Sequence, residues 1–114
     1  MKAPASAILL AAGKGSRLER LTAAMPKPMF PIQGKPILEH NLEWLRGVGV
    51  RDFYINLHHC PEVIRIHFGD GARWGVSIHY SFEKDLSGTS GAVRKICELF
   101  PDLSDPFLVV YGDT

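Results

Sequence analysis

The sequence has 114 residues, of which 46% are hydrophobic and 22% are charged. This length suits one small domain spanning 1–114, and the apolar content excludes an intrinsically disordered chain. The net charge of +1 gives no reason to expect binding to nucleic acid or a membrane, and no apolar run approaches the roughly 18–20 residues of a membrane span. Two cysteines, Cys60 and Cys97, are too few for a disulfide scaffold and favour a reducing, cytoplasmic compartment.

The charges are unevenly distributed along the chain. Residues 1–51 carry eight Lys/Arg and three Glu, whereas residues 52–114 carry five Lys/Arg and nine Asp/Glu. This asymmetry fits ordinary surface scatter, and it also fits an anion site in the first half with a cation site in the second. Charge alone leaves both interpretations open.

The first half of the chain predicts one strand and one helix. Ser6–Leu10 is a short, nearly continuous apolar run that we interpret as a buried strand and not as a secretion signal. Three prolines make residues 23–35 irregular, because proline lacks a backbone donor and biases its predecessor away from helix. A helix follows, with Pro36 in its first turn, an apolar stripe from Ile37 to Val48, and an end at Gly47 or Gly49. Trp44 and Trp74 are interpreted as packing residues.

The second half predicts three further strands alternating with two helices. The strands are Phe53–Leu57, Val76–Phe82 and Pro106–Tyr111, and the helices are Pro61–Phe68 and Thr89–Phe100, the latter beginning near Gly88 with Leu99 facing inward. This order predicts an α/β fold, a Rossmann-like doubly wound and mostly parallel sheet with helices on both faces. Ligands of such sheets bind beyond the carboxyl ends of the strands. Four segments should meet there: Ala11–Arg17, Leu57–Cys60, Glu83–Thr89 and Gly112–Thr114.

The first of these segments is rich in glycine. Gly13 and Gly15 let backbone N–H groups approach a polyanion, and Arg17 on the same loop suits phosphate. The alternative is a tight turn without a ligand. Leu18 stands where a dinucleotide fingerprint needs its third glycine, so an oxidoreductase is not favoured.

Three other positions are candidates for chemistry. Lys27 lies between Pro26 and Pro28, which aim its ammonium at a low ordering cost, unless it is simply a solvated lysine in a bend. Glu83 ends the third strand, where its carboxylate could accept two hydrogen bonds from a base edge, before a helix entry at Gly88-Thr89 whose N–H groups suit an anion. Asp113 leaves the last strand, either as a Mg²⁺ ligand or as a solvated strand end.

His58-His59-Cys60 contains residue types that bind zinc. Adjacent residues point in different directions, and no second pair stands at zinc-finger spacing. The sequence therefore disfavours a structural zinc site, and a histidine lining the ligand crevice is the better interpretation.

Several motifs together resemble the sugar-phosphate nucleotidyltransferases, the family of mannose-1-phosphate guanylyltransferase and of glucose-1-phosphate thymidylyl- and uridylyltransferases. The matching segments are Leu10–Leu18, Pro26–Met29, Gly34–Ile37, Gly88–Ala92 and Tyr111–Asp113. The resemblance extends over nearly the whole chain, and the order and spacing of the motifs make it specific. The family's catalytic domains are longer, so the resemblance also implies a truncated domain that lacks the sugar pocket.

The resemblance implies a role for each candidate residue. Arg17 and Lys27 would be catalytic, neutralising charge on the phosphates, and Asp113 would hold Mg²⁺. The nucleotide-binding residues would be Leu10, Ala11, Ala12, Gly13, Lys14, Gly15, Ser16, Glu83, Gly88 and Thr89.

The implied reaction is nucleotidyl transfer from a nucleoside triphosphate to a sugar-1-phosphate, releasing pyrophosphate. GTP is favoured because guanine donates twice to a carboxylate such as Glu83, with UTP, dTTP or CTP as alternatives. A non-catalytic nucleotide-binding or regulatory module, or an inactive fragment, remains the alternative function. The last strand would be left as an apolar edge, which predicts a homo-oligomer formed through that edge.

Overall fold

The structure is a computed structural model that describes residues 5–11, 27–58, 61–83, 88–101, 103 and 107–111. Of Lys27, Thr89 and Tyr111 it describes the backbone and not the side chain. The elements in chain order are β1 (Ser6–Leu10), β2 (Pro31–Ile32), β3 (Lys35–Pro36), α1 (Ile37–Gly47), β4 (Asp52–Leu57), α2 (Pro61–Phe68), β5 (Ser77–Phe82), α3 (Gly88–Leu99) and β6 (Phe107–Tyr111). Short 3-10 turns lie at Lys27–Met29 and Ala72–Trp74.

Four of the described strands form one parallel sheet in the order β5-β4-β1-β6. Two crossovers lead outward from β1 through β4 to β5, and the chain then returns to the other side of β1 to form β6. The reversal between β1 and β6 is a topological switch point, the place where open α/β sheets bind ligands. The predicted α/β class and parallel sheet are confirmed.

Helices cover both faces of this sheet, as the sequence predicts. One face buries Leu9 and Phe53 against α1 and α2, through residues such as Leu42 and Ile64. The other face buries the alternate residues of the same strands against α3, with Ile8, Leu10 and Tyr54 packed on Ala92 and Ile96. The period-2 alternation of β1 thus separates two apolar layers, because successive side chains point to opposite faces.

The sequence predicts that residues 23–35 are irregular, but the structure shows a small hairpin at the end of this segment, so that prediction is wrong there. β2 and β3 pair antiparallel, and the two residues between them, Gln33 and Gly34, have φ of 52° and 82°. Positive φ at both central residues is the geometry of the turn that best suits a two-residue hairpin. The backbone N–H of Ile37 then donates to the carbonyl of Phe30 at 3.0 Å, which joins the hairpin to the start of α1.

Two predicted packing residues are exposed. Trp44 is 66% exposed, because it lies two positions after Leu42 on α1 and therefore points away from the buried stripe of that helix. Leu99 is 52% exposed at the end of α3, although Ile96, one turn earlier, is fully buried. Trp74 is buried in the core, as predicted.

β6 forms one edge of the sheet in the described part of the chain, since it pairs there with β1 alone. Self-association through this edge stays a prediction. Among the described residues, no helix has the length and apolar character needed to cross a membrane.

Candidate functional site

The candidate site lies at the carboxyl ends of β1, β4 and β5. The three strands are in register, with Leu10 beside Asn56 and Asn56 beside Ser81. The chain therefore leaves the sheet at the same edge at Ala11, His58 and Glu83. This confirms that the described parts of three of the four predicted segments meet at one place.

Asn56 connects two of these strand ends. Its side-chain Oδ1 accepts a hydrogen bond from the backbone N–H of Ala11 at 2.6 Å, and its Nδ2 donates to Oε2 of Glu83 at 2.7 Å. Asn56 is 4% exposed and Glu83 is 3% exposed. A buried carboxylate is costly unless hydrogen bonds satisfy it, so the Asn56 amide lowers the cost of placing Glu83 here.

The backbone of Glu83 is held from β4 as well. Its N–H donates to the carbonyl of Leu57 at 2.7 Å, and its own carbonyl lies 2.7 Å from Nδ1 of His58. A carbonyl can only accept, so Nδ1 of His58 carries the hydrogen in this contact. Asn56 and Leu57 at the end of β4, and His58 directly after it, thus fix the position of Glu83.

Gly88 begins α3, whose Ala92 is buried in the same cluster as Leu10, the last residue of β1. Its φ of 77° lies in the left-handed region, which a glycine adopts without strain, and a Cβ there would have no atom of the described residues within 4 Å. The open space and the first N–H groups of the helix suit the approach of an anion. The backbone of Thr89 lies in the same first turn.

The Lys27 motif is anchored by the residues that follow it. Lys27 begins the 3-10 turn, and both Pro28 and Met29 are buried, Met29 within the core beneath α1. The backbone at Lys27 is therefore attached to a packed part of the molecule.

The other predicted site residues lie outside the described residues. These are Ala12, Gly13, Lys14, Gly15, Ser16, Arg17 and Asp113, together with His59 and Cys60. Leu10 and Ala11 are both described, and both are buried at the end of β1.

Sequence reasoning missed Asn56. A signal was present, since Asn56 is the polar residue inside the apolar run Phe53–Leu57, and a buried amide needs partners. Its partners stand 45 and 27 residues away in sequence, so no local pattern identifies them.

Comparison with known proteins agrees with this fold and with the motifs. The family model for nucleotidyl transferases matches residues 6–114. The chain is 42% identical to the UTP–glucose-1-phosphate uridylyltransferase of Synechocystis sp., with 94% of this chain and 30% of that protein covered. It is 37% identical to the mannose-1-phosphate guanylyltransferase of Mycobacterium tuberculosis, with 94% and 29% covered.

A solved structure gives the same result. The structure of HddC from Yersinia pseudotuberculosis complexed with GMP-PN matches with a TM-score of 0.79 and 29% identity, covering 95% of this chain and 47% of that one. The chain thus spans less than half the length of each of these proteins. Since the family match extends from β1 through β6 and the fold agrees, the chain belongs to the sugar-1-phosphate nucleotidyltransferase family.

Proposed function

We propose that the protein transfers a nucleotidyl group from GTP to a sugar-1-phosphate, forming a nucleoside-diphosphate sugar and pyrophosphate. The observation that carries this proposal is the buried hydrogen-bonded group Ala11–Asn56–Glu83 at the carboxyl edge, in a chain of this family. The group lies where a nucleotide bound at the switch point would meet the sheet.

Glu83 is the proposed reader of the base. Guanine presents N1–H and N2–H₂ on one edge, and a carboxylate accepts from both, whereas uracil and thymine present one N–H there. The guanylyltransferase relative and the HddC complex with GMP-PN support GTP as the donor. The uridylyltransferase relative supports UTP as the alternative donor, and dTTP and CTP complete the set to be tested.

The proposed reaction is a direct displacement at phosphorus. An oxygen of the sugar-1-phosphate attacks the α-phosphorus of the nucleotide and forms a new O–P bond. The bond from the α-phosphorus to the bridging oxygen breaks, and pyrophosphate leaves with the electron pair. Arg17 and Lys27 offset the negative charge on the transferring and leaving groups, which is the main task of the protein in such a reaction. The buried anchor at Pro28 and Met29 keeps the Lys27 backbone in place.

A divalent cation, Mg²⁺, fits this proposal through Asp113. β6 lies parallel to β1, so the chain leaves β6 toward the edge that carries Glu83. One carboxylate suffices when phosphate oxygens complete the coordination, and the described residues contain no group of three His, Cys, Asp or Glu that would form a separate cage. The cation would neutralise charge on the phosphates.

The test is pyrophosphate release by the full-length protein with GTP, UTP, dTTP and CTP and a panel of sugar-1-phosphates. Lys27→Ala should lower kcat on the order of 100-fold or more. The matched control is Lys35→Ala, since Lys35 is exposed and bonded to Glu43 at 2.8 Å. Equal activity of the two variants would refute the role of Lys27.

A second variant tests the base. Glu83→Gln keeps the side-chain shape but replaces one acceptor with a donor, so the preference for GTP over UTP should fall on the order of tenfold or more. An unchanged preference would refute base reading by Glu83. Nucleotide binding without pyrophosphate release, for every sugar-1-phosphate, would favour a binding module instead.

The proposed substrates are phosphorylated metabolites, and we place the reaction in the cytoplasm. The exposed free thiol of Cys97 is compatible with a reducing compartment.

A further inference from the structure

We propose that Asn56 is a positioning residue that joins the base-reading carboxylate to the start of the nucleotide loop. This inference rests on the proposed function, and it assigns a role to a side chain that contacts neither phosphate nor sugar in that scheme. Asn56 makes one hydrogen bond to the backbone of Ala11 and one to the side chain of Glu83.

The chemistry of the partners determines the orientation of the Asn56 amide. The N–H of Ala11 can only donate, so the Asn56 atom that faces it is the oxygen. The NH₂ group then faces Glu83, and Oε2 of Glu83 must accept. Rotating the amide by half a turn would place donor against donor and acceptor against acceptor, so the orientation has one satisfied state.

One side chain, that of Asn56, thus holds two parts of the site in place: the backbone at Ala11 and the carboxylate of Glu83. Ala11 is the last residue before the segment Ala12–Arg17, which carries the proposed phosphate contacts. Glu83 is the proposed base contact, held further by Leu57 and His58. Base and triphosphate are ends of the same ligand, so a fixed relation between these points reduces the ordering that nucleotide binding requires.

Ser81 provides a matched control in the same row of the sheet. It is the register partner of Asn56 and is 2% exposed, and its Oγ has no hydrogen-bond partner among the described residues. Ser81→Ala therefore changes a buried polar side chain beside Asn56 without breaking a described hydrogen bond. Ser81→Ala therefore measures the effect of a substitution beside Asn56 that leaves the hydrogen bonds from Asn56 to Ala11 and Glu83 in place.

The experiment uses four variants of the full-length protein: Asn56→Ala, Asn56→Asp, Ser81→Ala, and Asn56→Asp combined with Glu83→Gln. Asn56→Ala removes both bonds. Asn56→Asp keeps the acceptor for Ala11 but opposes two carboxylates at Glu83. In the double variant the amide at position 83 donates to the carboxylate at position 56, so the connection is restored with reversed polarity.

Two measurements are made on every variant. The first is kcat and KM for GTP and UTP from pH 6 to 8, and the second is hydrogen exchange of the Ala11 amide, which needs no activity. For Asn56→Ala we expect KM for GTP to rise on the order of tenfold and Ala11 exchange to accelerate by a similar factor, with kcat changing less. Ser81→Ala should change neither quantity appreciably.

The pH profile separates positioning from general damage to the fold. In Asn56→Asp the opposed carboxylates can share a proton at low pH, so the rise in KM should shrink as pH falls. His58, whose Nδ1 contacts the Glu83 carbonyl, is present in every variant, so the difference from the parent protein isolates the new carboxylate. The double variant should keep the slow Ala11 exchange of the parent protein and lose this pH dependence.

The outcomes distinguish this inference from the proposed function. Asn56→Ala behaving like Ser81→Ala in KM and exchange would overturn the inference even in an active enzyme. A double variant that keeps the pH dependence of Asn56→Asp, or that exchanges Ala11 as fast as Asn56→Ala, would also overturn it, because the restored bond would then be without effect. Its KM for GTP is not the criterion, since Glu83→Gln alone lowers the preference for GTP. An inactive parent protein that shows the expected Ala11 exchange pattern would refute the proposed function while leaving the connection established.

Discussion

The turn between α2 and β5 places Gly71 where a side chain has no room. Gly71 has a φ of 89°, and a Cβ there would lie 2.7 Å from the carbonyl oxygen of Val76 and 2.8 Å from Cγ1 of Ile78. Its carbonyl also accepts the N–H groups of Trp74 at 3.0 Å and Val76 at 3.2 Å. A shift that made room for a methyl group would therefore disturb two backbone hydrogen bonds, and we expect Gly71→Ala to destabilise the protein strongly.

The size of the loss follows from two separate terms. Left-handed backbone costs a non-glycine residue about 1–2 kcal/mol, and overpacking costs about 1–3 kcal/mol. Together they predict that Gly71→Ala lowers the free energy of unfolding by about 2–5 kcal/mol. Gly75 is the matched control, because its φ is 70° but, in the described part of the chain, no atom lies within 4 Å of an added Cβ. Gly75→Ala should carry only the first term, partly offset by the smaller entropy of its unfolded chain.

Urea unfolding followed by circular dichroism measures both variants against the parent protein. The midpoint should fall much further for Gly71→Ala than for Gly75→Ala, with similar slopes against urea. Equal midpoints for the two variants would refute the steric part of the reasoning. A Gly71→Ala variant as stable as the parent would refute both parts.

Three further predictions concern the pH response, a helix contact and the core. Burial raises the pKa of Tyr80 to about 12. The stability that the protonated hydroxyl contributes is therefore present below about pH 10 and is lost as pH rises from about 10 toward 12. Tyr80→Phe should flatten the curve of unfolding free energy against pH in that window, and an unchanged curve would contradict this. The buried Glu39 carboxylate lies 2.6 Å from Nε2 of His67 and so joins α1 to α2. Glu39→Ala should lower the free energy of unfolding, measured in urea, by about 1–3 kcal/mol. An unchanged free energy would contradict a role for the contact. Leu42 is buried, so Leu42→Ala should lower the free energy of unfolding by about 2–5 kcal/mol. Trp44 is exposed, so Trp44→Ala should change the free energy of unfolding by about 0.5 kcal/mol or less. Similar losses of stability for the two variants in thermal unfolding would show that the burial pattern is wrong.

Most of the fold could be predicted because the strands and helices are encoded by short-range patterns. Pro61–Phe68 has the predicted bounds, and Asp52–Leu57 begins one residue earlier than predicted. The β2–β3 hairpin was missed because the prolines that flank it argue against a strand, and its turn depends on positive φ at Gln33. A two-residue pairing of this kind leaves almost no periodic signal.

The site was predictable at the level of segments and not at the level of contacts. Strand ends of a parallel sheet meet at one edge whatever their sequence, so the placement of Ala11 and Glu83 follows from topology. The bridge through Asn56 depends on register, because one residue of slip would turn its side chain to the other face of the sheet. Register is set by the packing of the whole sheet, which a local pattern does not contain.

The face of the sheet that packs against α3 changes from aromatic to polar side chains toward the carboxyl edge. In the middle of the sheet that face carries Tyr54 stacked on His79, with ring centroids 4.7 Å apart, and Phe100 packs against both rings. Two residues further along each strand the same face carries Asn56 and Ser81, both buried. The aromatic layer contributes burial that holds α3 on the sheet, so the next layer can contain a polar side chain such as Asn56, which bonds to the Ala11 backbone. Gly71 lies against Val76 and Ile78 at the start of β5, which are five and three residues, or roughly 10–17 Å, from Ser81, the register partner of Asn56. We therefore expect substitutions at Gly71 to act on stability and those at Asn56 to act on the geometry of the site.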